Sequence, residues 1–193
     1  METDPTQELE YLDNARDELE DYLLSDELFW PVTIRPSGGG SFLKLTLGNL
    51  LLSLKKLQAL SAGRSLTPAQ ESELQRVEQA VGAVQRKWQV AWETKAGREF
   101  KSRFDQWGNL LTDIKKDYER QVPYYQHEVR LRVLLEMLQP HADPEDIDGY
   151  ELDAMDAFLR GMLKRGEFLW DPALQPGFPQ DEYWFLYGKL SAE

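Results

Sequence analysis

Apolar residues recur every three or four positions through each long segment of this chain. The clearest series begins at Val77 and continues to Tyr118, and another runs from Leu43 to Leu57. Such spacing places apolar side chains on one face of an α-helix. The sequence contains no pair of alternating segments joined by a hairpin turn, which is the usual sign of a sheet. The pattern therefore predicts an all-α fold.

Proline, glycine and capping residues divide the chain into predicted helices. Thr67, Pro68 and Gln70 form the clearest start, because Thr and Gln at these positions make a capping box. Asp4 and Ser41 are the predicted caps of the first and second helices, and Gly166 is the predicted stop after the last long one. The predicted helices cover residues 5–24, 41–60, 68–120, 123–138 and 148–164, and a short final helix begins at Pro179.

The segment 68–120 allows two interpretations. Its apolar series has an eight-residue gap around Gly97, which fits either one long helix with a bend there or two separate helices. We favour one long, bent helix, because the apolar spacing on both sides of the gap stays helical.

The number of aromatic residues indicates one well-formed core. The chain of 193 residues has six Trp, eight Tyr and eight Phe, which disordered chains lack. We expect a single all-α domain over 1–193, a bundle of six or seven helices with an irregular Pro/Gly linker at 28–40. The aromatic- and proline-rich tail at 166–193 either packs on its own bundle or forms an interface with a partner. We favour packing on its own bundle.

Composition excludes several classes of function. The absence of cysteine removes disulfides, thiolate metal sites and cysteine nucleophiles. The first ten residues hold no basic-then-apolar segment, and no uncharged run approaches the roughly 18 residues of a membrane span. We therefore expect a cytoplasmic protein that does not bind a membrane.

Charge is distributed unevenly along a chain whose net charge is −12. Residues 1–27 hold eleven acids and one base, and residues 133–193 hold thirteen acids and four bases, whereas residues 28–132 are mildly basic. Basic and aromatic residues alternate between Arg86 and Phe104, as they do in some nucleic-acid grooves. Because these aromatics repeat at helical spacing, we expect them in the core and expect no nucleic-acid partner.

The N-terminal helix carries a row of carboxylates on one face: Glu10, Asp13, Asp17, Glu20 and Asp21. The spacing Asp17-Glu18-x-x-Asp21 is similar to that of all-α nucleoside triphosphate pyrophosphatases, which would make this helix part of a magnesium site. Such a site needs a second carboxylate pair on a facing helix, and the only distant match, Glu145 to Asp148, is predicted to lie in a loop. We favour a solvated face, or one that docks on the basic middle of the same chain or of a second copy.

Two loops carry weak signals for ligands. The acidic stretch 146–153 resembles part of a calcium loop, but aligning Gly149 as the required glycine places Pro144 and Met155 where oxygen ligands are needed. The glycine-rich loop 37–41 lacks the Gly-Lys-Ser/Thr ending of a phosphate loop. We interpret the first loop as a helix start and the second as a connector.

Only two histidines occur, and neither belongs to a metal-binding or triad pattern. His127 is expected in the core, on the apolar face of its helix, and no role is assigned to His141. No catalytic, metal or cofactor residue is therefore named, and no cofactor is expected. The sequence favours a noncatalytic protein-interaction or regulatory module with a protein partner or self-association. The alternative is a magnesium-dependent all-α enzyme that processes nucleotides or other small molecules with the N-terminal carboxylates.

Overall fold

The computed structural model describes residues 3–32, 41–143 and 149–190. Within these ranges the chain forms α-helices and one small antiparallel sheet, so the predicted all-α class is confirmed. The described helices are α1 Pro5–Leu24, α2 Leu47–Ala62, α3 Pro68–Lys87, α4 Gln89–Lys116, α5 Tyr118–Gln121, α6 Tyr125–Glu128, α7 Arg130–Leu138 and α8 Gly149–Met162. Short 3-10 turns cover Val122–Tyr124, Gln139–His141, Pro172–Gly177 and Trp184–Leu186, and the strands are β1 Leu163–Phe168 and β2 Tyr187–Leu190.

Two of the predicted helix starts agree with the structure. Asp4 caps α1 by accepting a hydrogen bond from the backbone N–H of Thr6 at 2.9 Å. Thr67 and Gln70 form both hydrogen bonds of the predicted capping box at the start of α3. Each cap satisfies N–H groups that have no partner inside the first turn.

The start of α2 was predicted five residues too early. Thr46, not Ser41, is the cap, and its side chain accepts from the backbone N–H of Asn49 at 3.1 Å. Just before it, Leu45 exchanges two backbone hydrogen bonds with Trp30, of 3.0 and 2.8 Å. This pairing holds the chain extended up to Thr46 and leaves Leu43 exposed.

The prediction of one helix bent near Gly97 is wrong, because two helices meet at Trp88. The backbone of Trp88 has φ −119° and ψ 38°, outside the helical range, whereas Gly97 lies buried inside α4. Hydrogen bonds from Trp88 N to Val84 O and from Trp92 N to Trp88 O flank the break, both at 2.9 Å. The helical backbone is therefore interrupted at Trp88 although both of these bonds are kept.

The end of α8 also differs from the prediction. The helix stops at Met162, and β1 then pairs antiparallel with β2, so Gly166 lies within a strand. Gly188 of β2 has φ 158°, and a Cβ there would lie 2.4 Å from the carbonyl oxygen of Lys164. No helix begins at Pro179; the short helical pieces of the tail are the 3-10 turns at Pro172–Gly177 and Trp184–Leu186.

The core forms where α1, α2, α4 and α7 meet. α1 packs against α2 and α3, and α4 packs along α7. Side chains with no more than 1% exposure fill this space, among them Leu12, Leu19, Trp92, Phe100 and Trp107. Burying one such large side chain stabilises the fold by about 1.5–3 kcal/mol relative to exposure.

The C-terminal segment packs on the bundle of its own chain, as predicted. Phe178 and Phe185 are fully buried, and the hydroxyl of Tyr125 donates a 2.9 Å hydrogen bond to the carbonyl of Phe185. The 3-10 turn Pro172–Gly177 crosses α2 so closely that a Cβ on Gly177 would lie 2.5 Å from the Cβ of Ala59. This crossing places the start of the segment beside α2 and α6.

Candidate functional site

The acidic face of α1 is paired with basic residues of its own chain. Asp13 and Asp17 both bond Arg16, at 2.8 and 2.9 Å, and Glu20 bonds Lys87 at 2.9 Å. Arg76 of α3 also reaches Asp13, at 3.4 Å. The predicted docking of the acidic helix on the basic middle therefore occurs within one chain, through α3.

These pairs bear on the magnesium hypothesis. Among the described residues, no group of three or more His, Asp or Glu side chains is arranged to hold a metal ion. Glu145 and Asp148, the only predicted second pair, lie outside the described residues. So do residues 146–148 of the acidic stretch and residues 37–40 of the glycine-rich loop.

The prediction that His127 belongs to the core is wrong. His127 is exposed, whereas Tyr125, two residues earlier, is 3% exposed. The cause is that α6 is a single turn rather than part of a longer helix. This turn places Tyr125, and not His127, against the core. His141 is half-buried, its ring edge-on to Trp92 at 5.8 Å, and burial lowers the pKa of His141.

The aromatic residues between Arg86 and Phe104 are buried or half-buried in the core, as predicted, but three charged side chains of α4, Lys95, Glu99 and Arg103, are buried with them. Glu99 is fully buried and accepts hydrogen bonds from Arg103 Nη2 at 3.1 Å and from the backbone N–H of Gly48 at 2.8 Å. Lys95, one turn earlier, is 2% exposed and donates to the carbonyl of Glu27, and burial lowers the pKa of Lys95. These charges join α4 to α2 and to the segment after α1, which sequence reasoning missed.

A cleft lies where the C-terminal segment meets α2, α6 and α7, and we call it the C-terminal cleft. Its volume is about 140 Å³. Its walls come from four stretches that are far apart in sequence. They are Thr3, Leu52, Lys56, Gln126, His127, Arg130, Trp170, Asp171 and Leu174.

Arg130 supplies the least compensated charge of the cleft. Its Nη2 donates to the side-chain oxygen of Asn49 at 2.5 Å, and no carboxylate of the described chain lies within 4.0 Å of the guanidinium. Burial, and after it the charge of Arg103, lowers the pKa of Arg130, but an Arg remains protonated in proteins. Lys56, by contrast, is paired with Glu8 at 2.6 Å.

Asp171 supplies a negative charge to the cleft. Its Oδ2 accepts from the backbone N–H of Thr3 at 2.7 Å, and its Oδ1 accepts from that of Ala173 at 3.0 Å. Burial opposes ionisation, but these two bonds, together with the N-terminal charge and the Thr3 side chain, hold the pKa of Asp171 below its ordinary value.

The apolar part of the cleft is held in place by α6. Trp170 Nε1 donates to the carbonyl of Gln126 at 3.1 Å, and the Gln126 side chain donates to the carbonyl of Leu169 at 2.5 Å. The Trp170 ring also packs edge-on to Phe178, with centroids 5.4 Å apart. Trp170 is half-buried and contributes apolar surface to the cleft, whereas Leu52 and Leu174 are buried, with no more than 2% exposure.

The chain was compared with known proteins in three ways, and none gave a match: no protein-family model, no curated protein and no solved structure. Among the described residues, no helix is both long and apolar enough to cross a membrane. Fold and site together define an all-α bundle with a cleft of about 140 Å³ between the bundle and its own C-terminal segment.

Proposed function

We propose that this chain is a noncatalytic regulatory module that binds a small charged ligand in the C-terminal cleft and acts through contacts with protein. The observation that carries the proposal is Arg130, which is half-buried and lines the cleft without an ion pair to any described carboxylate. Partial burial disfavours its charge and lowers the pKa of Arg130. An anionic group bound in the cleft would interact favourably with this charge.

The cleft also suits a regulatory role because its walls come from separate parts of the chain. A ligand that touches its walls contacts Thr3, α2, α6–α7 and the C-terminal segment at once. Only the folded chain brings these stretches together, so binding stabilises the packed arrangement of the segment. Ligand concentration would thereby control how firmly the segment stays on the bundle.

The alternative, a magnesium-dependent enzyme, has less support. It relies on carboxylates of α1, and Asp13, Asp17 and Glu20 are engaged by Arg16, Arg76 and Lys87. Adding magnesium would have to displace these pairs before the carboxylates could act as ligands.

Thermal denaturation in the presence of small anions and zwitterions tests the proposal. We expect at least one class to raise the melting temperature of the parent and to lose this effect in Arg130→Gln. The matched control is Arg120→Gln, because Arg120 is exposed and lies outside the cleft. NMR spectra of the bound ligand after prolonged incubation should show it chemically unchanged. A converted ligand, or stabilisation that survives Arg130→Gln, would contradict the proposal.

A further inference from the structure

Strand β1 forms an open edge of the small sheet that follows α8. Among the described residues this sheet has only two strands, so one edge of β1 pairs with β2 and the other edge faces no strand. Lys164, Arg165, Gly166 and Glu167 are all exposed, whereas three of the four residues of β2 are buried. The outer edge of β1 is therefore open to solvent.

The backbone of β1 has hydrogen-bonding groups available for a further strand. In an antiparallel pair, alternate residues of each strand direct their N–H and C=O groups away from the partner strand. The pairing also passes directly from Arg165–Gly188 to Phe168–Tyr187, so Gly166 and its neighbour at 167 have no opposite residue in β2. Outside the ladder with β2, no backbone–backbone hydrogen bond of the described chain involves residues 163–168. Such an edge is a template for pairing with another strand.

The charges of β1 restrict which strand can pair with it. Charged side chains and bulges at an edge discourage pairing with strands that do not match them. Arg165 and Glu167 are two residues apart, so they lie on the same face of the strand. A matching strand places an acidic residue opposite Arg165 and a basic residue opposite Glu167.

The β1 strand of a second copy meets this requirement. When two β1 strands run antiparallel and are centred on Gly166, Arg165 of each copy lies opposite Glu167 of the other. A twofold axis makes the two charge pairs equivalent. Centring the strands on Arg165 or on Glu167 would place two like charges directly opposite each other, which is destabilising. The sequence of β1 therefore favours one register of self-pairing over its two neighbours.

From this arrangement we propose that the chain self-associates through β1, forming a four-stranded antiparallel sheet in which the two β1 strands lie side by side at the centre. A two-stranded sheet is marginally stable by itself, and the added strands extend its ladder. None of the β1 residues lines the C-terminal cleft. The self-association therefore goes beyond the proposed function and can be tested separately from it.

Sedimentation velocity of the full chain and of charge-reversed variants tests the proposal. The parent should shift from monomer to dimer as its concentration rises. Arg165→Glu and Glu167→Arg should each stay monomeric over the same range, because each places like charges opposite each other. An equimolar mixture of these two variants should restore the dimer, since every acid of one variant then lies opposite a base of the other. The matched control is Lys164→Glu, on the opposite face of β1, which should dimerise like the parent.

Hydrogen exchange supplies a second measurement that needs only the parent protein. Backbone amides of residues 163–168 should exchange more slowly at concentrations where the dimer forms, because self-pairing adds hydrogen bonds to this edge. Amides of α3, which is remote from β1 in the fold, should show no such change with concentration.

Three results would overturn the proposal. The first is a parent that stays monomeric at the highest attainable concentration. The second is a dimer that survives either charge reversal, which would place the contact elsewhere on the chain. The third is a mixture of the two reversed variants that stays monomeric although each variant melts like the parent. None of these results bears on whether anions stabilise the chain through Arg130, so the proposed function stands or fails on its own test.

Discussion

The carboxylate of Glu99 on α4 accepts a 2.8 Å hydrogen bond from the backbone N–H of Gly48, in the first turn of α2. Glu99 has no exposed surface, and Arg103 completes its bonding. A negative charge at this position also interacts favourably with the N-terminus of a helix. The pair therefore fixes α4 against α2, which carries one wall of the C-terminal cleft.

Replacing Glu99 by Gln should destabilise the chain strongly. The change keeps the shape of the side chain but leaves the largely buried Arg103 without its counter-ion. Removing one partner of a buried ion pair costs about 3–5 kcal/mol. Urea denaturation should show this loss, whereas Glu93→Gln on the exposed side of α4 should change the free energy of unfolding little. Equal stability of the two variants would contradict the assigned role of Glu99.

Gly48 should tolerate no side chain. A Cβ there would lie 2.8 Å from Oε1 of Glu99 and 3.2 Å from Cδ2 of Leu134. We expect Gly48→Ala to lower the free energy of unfolding by about 1–3 kcal/mol through overpacking. Gly82→Ala in α3 is the matched control, because its Cβ would meet only the flexible end of Arg86. That change should stabilise the chain by about 0.5–1 kcal/mol.

Local signals in the sequence predicted the class of the fold and part of its detail. Asp4 and Thr67 cap helices as expected, because a cap depends only on the next three residues. The β1–β2 pairing was missed because its strands are separated by the whole aromatic segment instead of a hairpin turn. The start of α2 was misplaced for a related reason: Leu45 pairs with Trp30 across the linker.

The C-terminal cleft could not have been found from local patterns. Its charged residues, Arg130 and Asp171, are 41 positions apart, and neither belongs to a recognisable motif. His127 was assigned to the core because the 123–138 segment was treated as one continuous helix, whereas the structure divides it into a 3-10 turn, the single turn α6 and the helix α7. Only the packing of the C-terminal segment against α2 and α6 brings these residues together.

Stability should fall as pH drops below about 6.5, in part because of His141. Burial lowers the pKa of His141 from its ordinary value, so the unfolded chain binds the proton more readily than the folded chain. Between the folded pKa and about 6.5, acid therefore favours unfolding. The free energy of unfolding of His141→Asn should change less with pH between 7.5 and 5 than that of the parent. The control His127→Asn, at an exposed position, should follow the parent.

Reversing the charges of the α1 face should weaken its packing on α3. Replacing Asp13, Asp17 and Asp21 by Lys would place positive charges beside Arg16 of α1 and beside Arg76 and the other basic residues of α3. We expect a lower melting temperature at low salt, and the loss should shrink at about 1 M salt, where screening acts over about 3 Å. A triple variant that melts like the parent at low salt would show that this face is only solvated.

Phe185 should be among the most costly side chains of the C-terminal segment to remove. It is fully buried, and its ring packs edge-to-face against Tyr183 and Trp184. The guanidinium of Arg132 lies 4.8 Å from the centre of the Phe185 ring. Phe185→Ala should lower the free energy of unfolding by about 3–5 kcal/mol, the usual cost of such a cavity. Tyr150→Ala, at a position 88% exposed, should stay within about 0.5 kcal/mol of the parent.

Phe185→Ala also tests whether the C-terminal segment packs on its own bundle or forms a contact between copies of the chain. If the segment packs on its own bundle, Phe185→Ala should bind more of a hydrophobic dye at temperatures just below its melting transition, because apolar surface of α7 and the segment becomes exposed. The sedimentation coefficient of the folded variant should equal that of the parent. A variant that keeps the parent's stability but loses self-association would instead place Phe185 in a contact between copies.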